Sequence, residues 1–284
     1  MIKPFQQDAA FLADVASAVQ SEPDRLHLWW LGQSGYLVYW DGAYALLDPY
    51  LSDSLTRKYA NTAKPHVRMT ERVIAPEHLS MARVVTSSHN HTDHLDAETI
   101  RPLLAANPAL TVIASRANVA FAAERLHVAP ERITGIALDR QVDVAPFHFH
   151  ALPAAHNKLE KDAAGHHRFI GLIVEAGPYR IYHSGDTLRY PGLEARLRPW
   201  RVDIALLPFN GDDPARGVAG NLDGPQAAQL AHDIGAGLVV PCHYEMYAFN
   251  TAETAPFCAE AERLGQPVHI LRAGERLTAA RKSI

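Results

Sequence analysis

Residues 83–94 read RVVTSSHNHTDH. An apolar run suited to a buried strand breaks there into a loop offering four potential metal ligands, His89, His91, Asp93 and His94, within six positions. Burying three imidazoles and a carboxylate without partners costs several kcal/mol, a penalty that metal coordination offsets. An ordinary polar surface loop is the plain alternative, but such a loop rarely shows this pattern directly behind a buried strand.

Three further candidates occupy the same kind of position. His156 closes FHFHALPAA, Asp186 ends YRIYHSG and His243 ends LVVPC. Each is the polar terminus of an apolar strand, so all can converge on one edge of the sheets. A single His or Asp in such a place is ordinarily a turn residue or a cap. Their joint occurrence with the HxHxDH loop gives them weight.

The surrounding chain reads as strands alternating with helices. Strands are expected at 26–32, 36–40, 43–48, 82–89 and 111–115, then at 144–152, 169–177, 179–186, 202–209 and 237–243. Asp41-Gly42 between two apolar runs is a hairpin signal. Helices fit 5–20, 96–106, 116–126, 223–235 and 252–264, with Asp223 as cap and Pro225 in the first turn of the fourth. Residues 51–80 look like a long excursion. This order suggests two mixed sheets packed face to face with helices outside. No linker, repeat or low-complexity tract marks a boundary, so one domain over 1–284 is expected.

Composition removes several classes. The 284 residues carry 27 Lys+Arg against 31 Asp+Glu, a formal charge of −4, with 48% hydrophobic and 20% charged residues. Wholesale disorder is thereby disfavoured. Two cysteines cannot staple a chain of this length. The mild acidity argues against nucleic-acid capture, and no apolar run suffices for a membrane span. Asp8 and Asp14 interrupt what a secretory leader would keep apolar, so a cytoplasmic location is expected. The sixteen histidines are the compositional oddity.

HNHTDH, followed in order by His156, Asp186 within SGDT, and His243, resembles the metallo-β-lactamase superfamily over nearly the whole chain. Within it, WWLG, YHSGDT, VDIALLPFNG and the Pro-x-His strand end look like the L-ascorbate-6-phosphate lactonase family of metal-dependent hydrolases. The resemblance implies an αββα four-layer sandwich and two divalent ions, Zn²⁺, Mn²⁺ or Fe²⁺. His89, His91 and His156 would hold the first, Asp93, His94 and His243 the second, and Asp186 would bridge them. His91 stands where flavodiiron relatives carry Glu, which favours hydrolysis over oxygen reduction.

The expected chemistry is attack by a metal-bridged hydroxide on an ester, a lactone (a sugar-acid phosphate lactone among them) or a related bond. Asp93 and Asp186 are the catalytic carboxylates, Asp93 as proton shuttle where it is not tightly ligated. A phosphodiesterase acting on a nucleotide or phospholipid-like substrate is the nearest alternative, and a mononuclear iron oxidoreductase using His89, His156 and Asp186 is another. Asn210, Arg216 and Tyr247 follow strand ends and are candidate substrate contacts. Arg57, Lys58, Arg68 and Lys158 are candidates for an anionic group. Asp48, before Pro49, either orients a ligand or caps a turn. His183 reads as a core histidine, Cys242 as a small buried hydrophobe, and His166-His167 as exposed in a turn. The expected partner is a small, anionic substrate, with no nucleic acid or membrane and with homo-oligomers common in families of this kind.

Overall fold

Asp41-Gly42 behaves as its composition requires. In the computed structural model, which describes residues 1–138 and 140–282, both residues take positive φ, 46° and 73°. That backbone matches the twist of a two-residue hairpin. The turn sits in the antiparallel run β1 (His27–Gly32), β2 (Gly35–Trp40) and β3 (Ala43–Leu47). Parallel pairing then adds β4 (Ala82–Ser87), β5 (Thr111–Ser115) and β6 (Ile133–Ile136).

The second half builds the other sheet. Its strands are β7 (Gln141–Val144), β8 (Phe147–Pro153), β11 (Ile170–Ala176), β12 (Tyr179–His183), β13 (Ile204–Pro208) and β14 (Leu238–Cys242), ordered β14-β13-β12-β11-β8-β7. The short pair β9 (Ala155–His156) and β10 (Lys158–Leu159) stands apart. A final strand, β15 (Arg276–Thr278), returns to the first sheet beside β1. Both sheets mix parallel and antiparallel pairs. The expected single strand at 144–152 is instead the β7–β8 hairpin, because Pro146 cannot donate to a ladder.

Every residue of β1 and β2 is buried, as expected of strands covered on both faces. Between the sheets, Tyr36 Oη donates to the Pro241 carbonyl at 3.3 Å, and the Trp30 ring stacks on Tyr244 at 4.3 Å. His183 is the core histidine expected, its Nε2 2.8 Å from the Ser34 carbonyl. Outside lie α1 (Asp8–Ser21), α3 (Ala97–Ala106), α4 (Val119–Leu126), α6 (Gly224–Asp233) and α7 (Thr254–Leu264). α4 packs on β5 and β6, α6 on β13 and β14, and α7 on α6. Asp223 and Gln226 form a full capping box on α6, with Pro225 in its first turn. Two short helices lie outside the expected ones, α2 (Ser54–Tyr59) within the 51–80 excursion and α5 (Leu193–Leu197). His167 is buried rather than exposed, its carbonyl accepting from Ser115 Oγ. Among the described residues, no helix is long and apolar enough to cross a membrane.

The two halves meet closely at Gly185. Its φ is +58°, and an added Cβ would lie 2.7 Å from Ser88 Cβ and 2.8 Å from the Ile170 carbonyl. Gly185→Ala therefore imposes both backbone strain and overpacking, together about 2–4 kcal/mol. Thermal unfolding should shift down by several degrees. An unchanged melting temperature would show that Ser88 gives way freely.

Candidate metal centre

The strand ends supply the side chains. β4 runs into His89, β9 ends at His156, β12 leads through Ser184-Gly185 to Asp186, and β14 leads directly to His243. The HNHTDH loop closes on itself, His94 and Leu95 N–H both donating to the His91 carbonyl at 3.1 and 2.8 Å. Asp96 then caps α3, accepting from Glu98 N and also from Ser54 Oγ at 2.9 Å and Thr99 Oγ1 at 2.6 Å. The loop is thus pinned at both ends by hydrogen bonds of its own neighbourhood.

Three groups of three donors result, one of them Asp48 with His89 and His94, and the other two face the cavity. One ligand atom from each of His89, His91 and His156 lies within 4.8 Å of the others, and the same holds for Asp93, His94 and His243. Asp186 stands between them. Its Oδ1 is 3.3 Å from His94 Nε2, and its Oδ2 is 3.6 Å from His156 Nε2 and 3.3 Å from His243 Nε2. His89 Nε2, His94 Nε2 and Asp186 Oδ1 are buried with no hydrogen-bond partner among the described residues. Such orphaned atoms, converging from several elements, are what a bound cation would satisfy. The donor set fits divalent ions.

The opposite ring nitrogens are held by the protein. Asp48 Oδ2 accepts at 2.8 Å from His94 Nδ1, while Asp48 itself accepts from Ser88 N at 3.0 Å and Thr86 Oγ1 at 3.1 Å. Of the two readings open for Asp48, orienting a ligand is the one the geometry fits. His156 Nδ1 lies 2.9 Å from the Gly220 carbonyl, and His89 Nδ1 3.0 Å from Ser88 Oγ. Each bond turns Nε2 toward the centre. Asp48 and His243 both adopt positive φ, 39° and 66°, and strain of this kind concentrates at functional sites.

Protonation divides the groups. Burial lowers the pKa of His89, His91 and His156, helped by neighbouring histidines, so all three are neutral donors at pH 7. Burial opposes charge on His243 too, yet Asp186 and Asp93 push it up to about 9. Burial likewise works against His94, and the same carboxylates raise it well above the usual value. Burial disfavours ionised Asp186 and Asp93, but His243 and His94 hold both far below the usual carboxylate range.

A pH dependence follows. A histidine with a raised folded pKa stabilises the metal-free fold fully below its unfolded value near 6.5, and that contribution is lost as pH rises through about 9. An ion entering the Asp93/His94/His243 group must displace those protons. Its affinity should therefore climb with pH by up to about tenfold per unit for each proton released, the His243 share levelling near pH 9. Calorimetric titration at pH 7 in buffers of different ionisation heat should show proton release for this ion and little for the other. Equal release by both would refute the division.

A cavity of about 470 Å³ opens onto the centre, reached by His91, Asp93, His156, Asp186, His243 and Tyr247. Asn210 and Arg216 do not line it. Asn210 is buried behind the wall, bonded to Asn221 Nδ2 at 3.0 Å and donating to Asn250 Oδ1 at 2.8 Å, and these two partners line the cavity in its place. Arg216 donates to the Asn210 carbonyl and to Asn250 Oδ1 at 3.3 Å. Of the cations considered from sequence, Lys58 lines the cavity, whereas Arg57 pairs with Glu98 and Arg68 is tied to the carbonyls of Thr70 and Ser52.

Sequence reasoning passed over His66, Arg125 and Gln33. His66 lines the cavity, stacked at 4.2 Å on Tyr59. Arg125 lines it from α4, its guanidinium 4.4 Å over Phe121. Gln33 is buried against Asp93 and His243. The apolar strand ending WLG before Gln33 resembled the other ligand-bearing strand ends and was the available signal.

A family model for the beta-lactamase superfamily domain matches residues 45–244. A UPF0173 metal-dependent hydrolase of Hyperthermus butylicus is 24% identical over 254 residues, covering 87% of this chain and 96% of its own length. Among solved structures, Igni18, a metallo hydrolase from the hyperthermophilic archaeon Ignicoccus hospitalis, superposes with a TM-score of 0.66 at 21% identity, covering 91% of this chain and 100% of that one. Isothiocyanate hydrolase from Delia radicum gut bacteria gives 0.68 at 17% identity, with 88% and 98% covered. These structures share the fold, two mixed sheets between helices. The family match spans every strand end from Asp48 to His243, and the chain belongs to the beta-lactamase superfamily.

Proposed function

We propose that this chain is a metal-dependent hydrolase that holds two divalent ions and cleaves a small ester or lactone. The observation that carries this reading is Asp186, set between two three-residue donor groups with its Oδ1 buried and unpartnered. His89, His91 and His156 would hold one ion, Asp93, His94 and His243 the other, and Asp186 both. Ions in such a site acidify bound water toward neutral pH and polarise a substrate carbonyl.

The chain's own groups supply the rest. Asp93 has a side chain 16% exposed, against 0% for His94 and 4% for Asp186. It therefore reaches the cavity, and where it is not tightly held by an ion its carboxylate can take a proton and pass it to a leaving oxygen. Lys58 lines the cavity with its ammonium over the Tyr59 ring, and Arg125 lines it too, its guanidinium tied to the carbonyls of Asn90 and Leu95. Among the described residues, the cavity lining carries no carboxylate apart from Asp93 and Asp186. Such a wall suits an anionic substrate, in line with the resemblance to ascorbate-6-phosphate lactonases. The complete Asp93/His94/His243 group speaks against a mononuclear oxidoreductase, which needs no second donor set.

The test is metal analysis followed by a substrate panel on zinc- and manganese-loaded protein. About two ions per chain and hydrolysis of lactones or carboxylic esters are expected. The panel should include phosphodiesters, sugar phosphates and an aryl isothiocyanate, since a structural neighbour is an isothiocyanate hydrolase. Turnover of phosphodiesters alone would transfer the assignment to the phosphodiesterase alternative. Absence of metal after gentle purification would end the two-ion reading.

A further inference from the structure

Gln33 follows β1 in a tight turn, with φ of +52° and 1% exposure. Its backbone is fixed, the carbonyl accepting from His243 N at 2.9 Å and from Trp30 Nε1 at 3.0 Å. The side chain therefore has a defined origin beside β14. Its terminal Nε2 lies 2.8 Å from Asp93 Oδ2 and 3.0 Å from His243 Nε2, and those two atoms are 3.6 Å apart. The other terminal atom, Oε1, is buried with no hydrogen-bond partner among the described residues.

These separations have a chemical meaning. Around a six-coordinate ion with bonds of about 2.1 Å, neighbouring ligand atoms stand about 3.0 Å apart. The end of the Gln33 carboxamide keeps that spacing from both Asp93 and His243, which are themselves candidate donors to one ion. An NH₂ group in that place repels a cation, whereas the amide oxygen is a hard donor. The two ends of a carboxamide are nearly the same size, and their assignment follows the hydrogen-bond partners present. Without a metal ion, Asp93 Oδ2 at 2.8 Å favours the amide nitrogen there, while an N–H on His243 Nε2 at 3.0 Å favours the oxygen. With a cation between Asp93 and His243, both of those atoms turn their lone pairs to the ion, and the oxygen is favoured.

We propose that Gln33 is a further protein ligand of the ion held by Asp93, His94 and His243, bound through its side-chain oxygen after the carboxamide turns over. This rests on the two-ion reading above. An added neutral oxygen raises the coordination number and hardens the site. It therefore favours Mn²⁺ or Fe²⁺ over Zn²⁺, which is content with four donors. No covalent or redox step is involved, because the amide only exchanges one electrostatic partner for another.

The experiment uses the full chain, stripped of metal and titrated calorimetrically with Mn²⁺ and separately with Zn²⁺. Wild-type protein is compared with Gln33→Leu and Gln33→Glu, and thermal melts establish that each variant is folded. Gln33→Leu should lose about 10–100-fold in affinity for the second Mn²⁺, with a smaller loss for Zn²⁺ and none for the first ion. Gln33→Glu, which keeps an oxygen donor, should bind the second Mn²⁺ at least as tightly as wild type. Absorption of Co²⁺-loaded protein reads the coordination directly, and Gln33→Leu should show the stronger visible bands of a lower coordination number. Wild-type Mn²⁺ affinity in Gln33→Leu would overturn the assignment, as would weakened binding with an unchanged Co²⁺ spectrum. If wild-type protein itself takes a single ion, the two-ion reading fails first, and this inference with it.

Discussion

Replacing Asp186 by alanine should lower metal content from about two ions per chain to one or none, and lower hydrolysis by about 1,000-fold or more. The magnitude follows from position. Asp186 is 3.3 Å from both His94 Nε2 and His243 Nε2 and 3.6 Å from His156 Nε2, so its carboxylate faces the Nε2 atoms of both donor groups. Without it the ion at His89, His91 and His156 would face only neutral imidazoles, and the ion at His94 and His243 would keep Asp93 as its single carboxylate, so each site loses charge worth several kcal/mol.

The metal-free protein carries a second signature. Asp186 is among the main reasons His243 is pushed up to about 9 despite burial, so Asp186→Ala should return that histidine toward its ordinary range. As a group with a depressed folded pKa, Asp186 contributes stability above its unfolded value near 3.9 that disappears as pH falls through the folded one. The variant should therefore unfold with a flatter dependence on acid. Plasma emission spectroscopy, steady-state rates and pH-dependent melts together check these expectations. Two ions per chain and near-normal rates in Asp186→Ala would show that the two donor groups do not share it.

What was legible from the amino acids was the set of residues that chemistry restricts. Imidazoles and carboxylates placed directly after apolar strands have few reasons to be there, and parallel or mixed sheets bring strand ends to one edge. HNHTDH, His156, Asp186 and His243 therefore announced themselves. Residues acting through partners far along the chain did not. Gln33 meets Asp93 60 positions later and His243 210 positions later, and an isolated Gln in a turn carries no local mark of either. The Gly220 carbonyl that orients His156 is backbone, so no side chain could signal it. α2 escaped for a different reason. Six residues, three of them Thr, Arg and Lys, span less than two turns and leave no periodicity to detect. Asn210 is the opposite case. It follows a strand end as a substrate contact would, and its amide is bonded to Asn221 and Asn250, which stand at the cavity.

Asp48→Ala should weaken the ion at the Asp93/His94/His243 group by about 10–100-fold and destabilise the metal-free fold by about 2–4 kcal/mol. Both effects have the same origin. Asp48 is fully buried and accepts from His94 Nδ1, Ser88 N, Thr86 Oγ1 and Ser88 Oγ. Removing it strands buried donors that no water reaches, each costing about 1–3 kcal/mol, partly relieved by local shifts. It also frees the His94 ring, whose Nε2 then no longer points toward Asp186 by default. The contrast with Asp186→Ala is the informative part. Asp48 touches no ion in the proposed arrangement, so Asp48→Ala should still fill both positions at high metal concentration and recover most of its activity there. Asp186→Ala should not. Asp48→Asn, which can still accept one hydrogen bond, should fall between wild type and alanine in both metal affinity and melting temperature. Metal titrations followed by calorimetry, with activity measured along the same titration, separate the cases. If excess metal fails to rescue Asp48→Ala, its carboxylate belongs among the ligands themselves. If affinity is unchanged, orientation of His94 contributes nothing to binding.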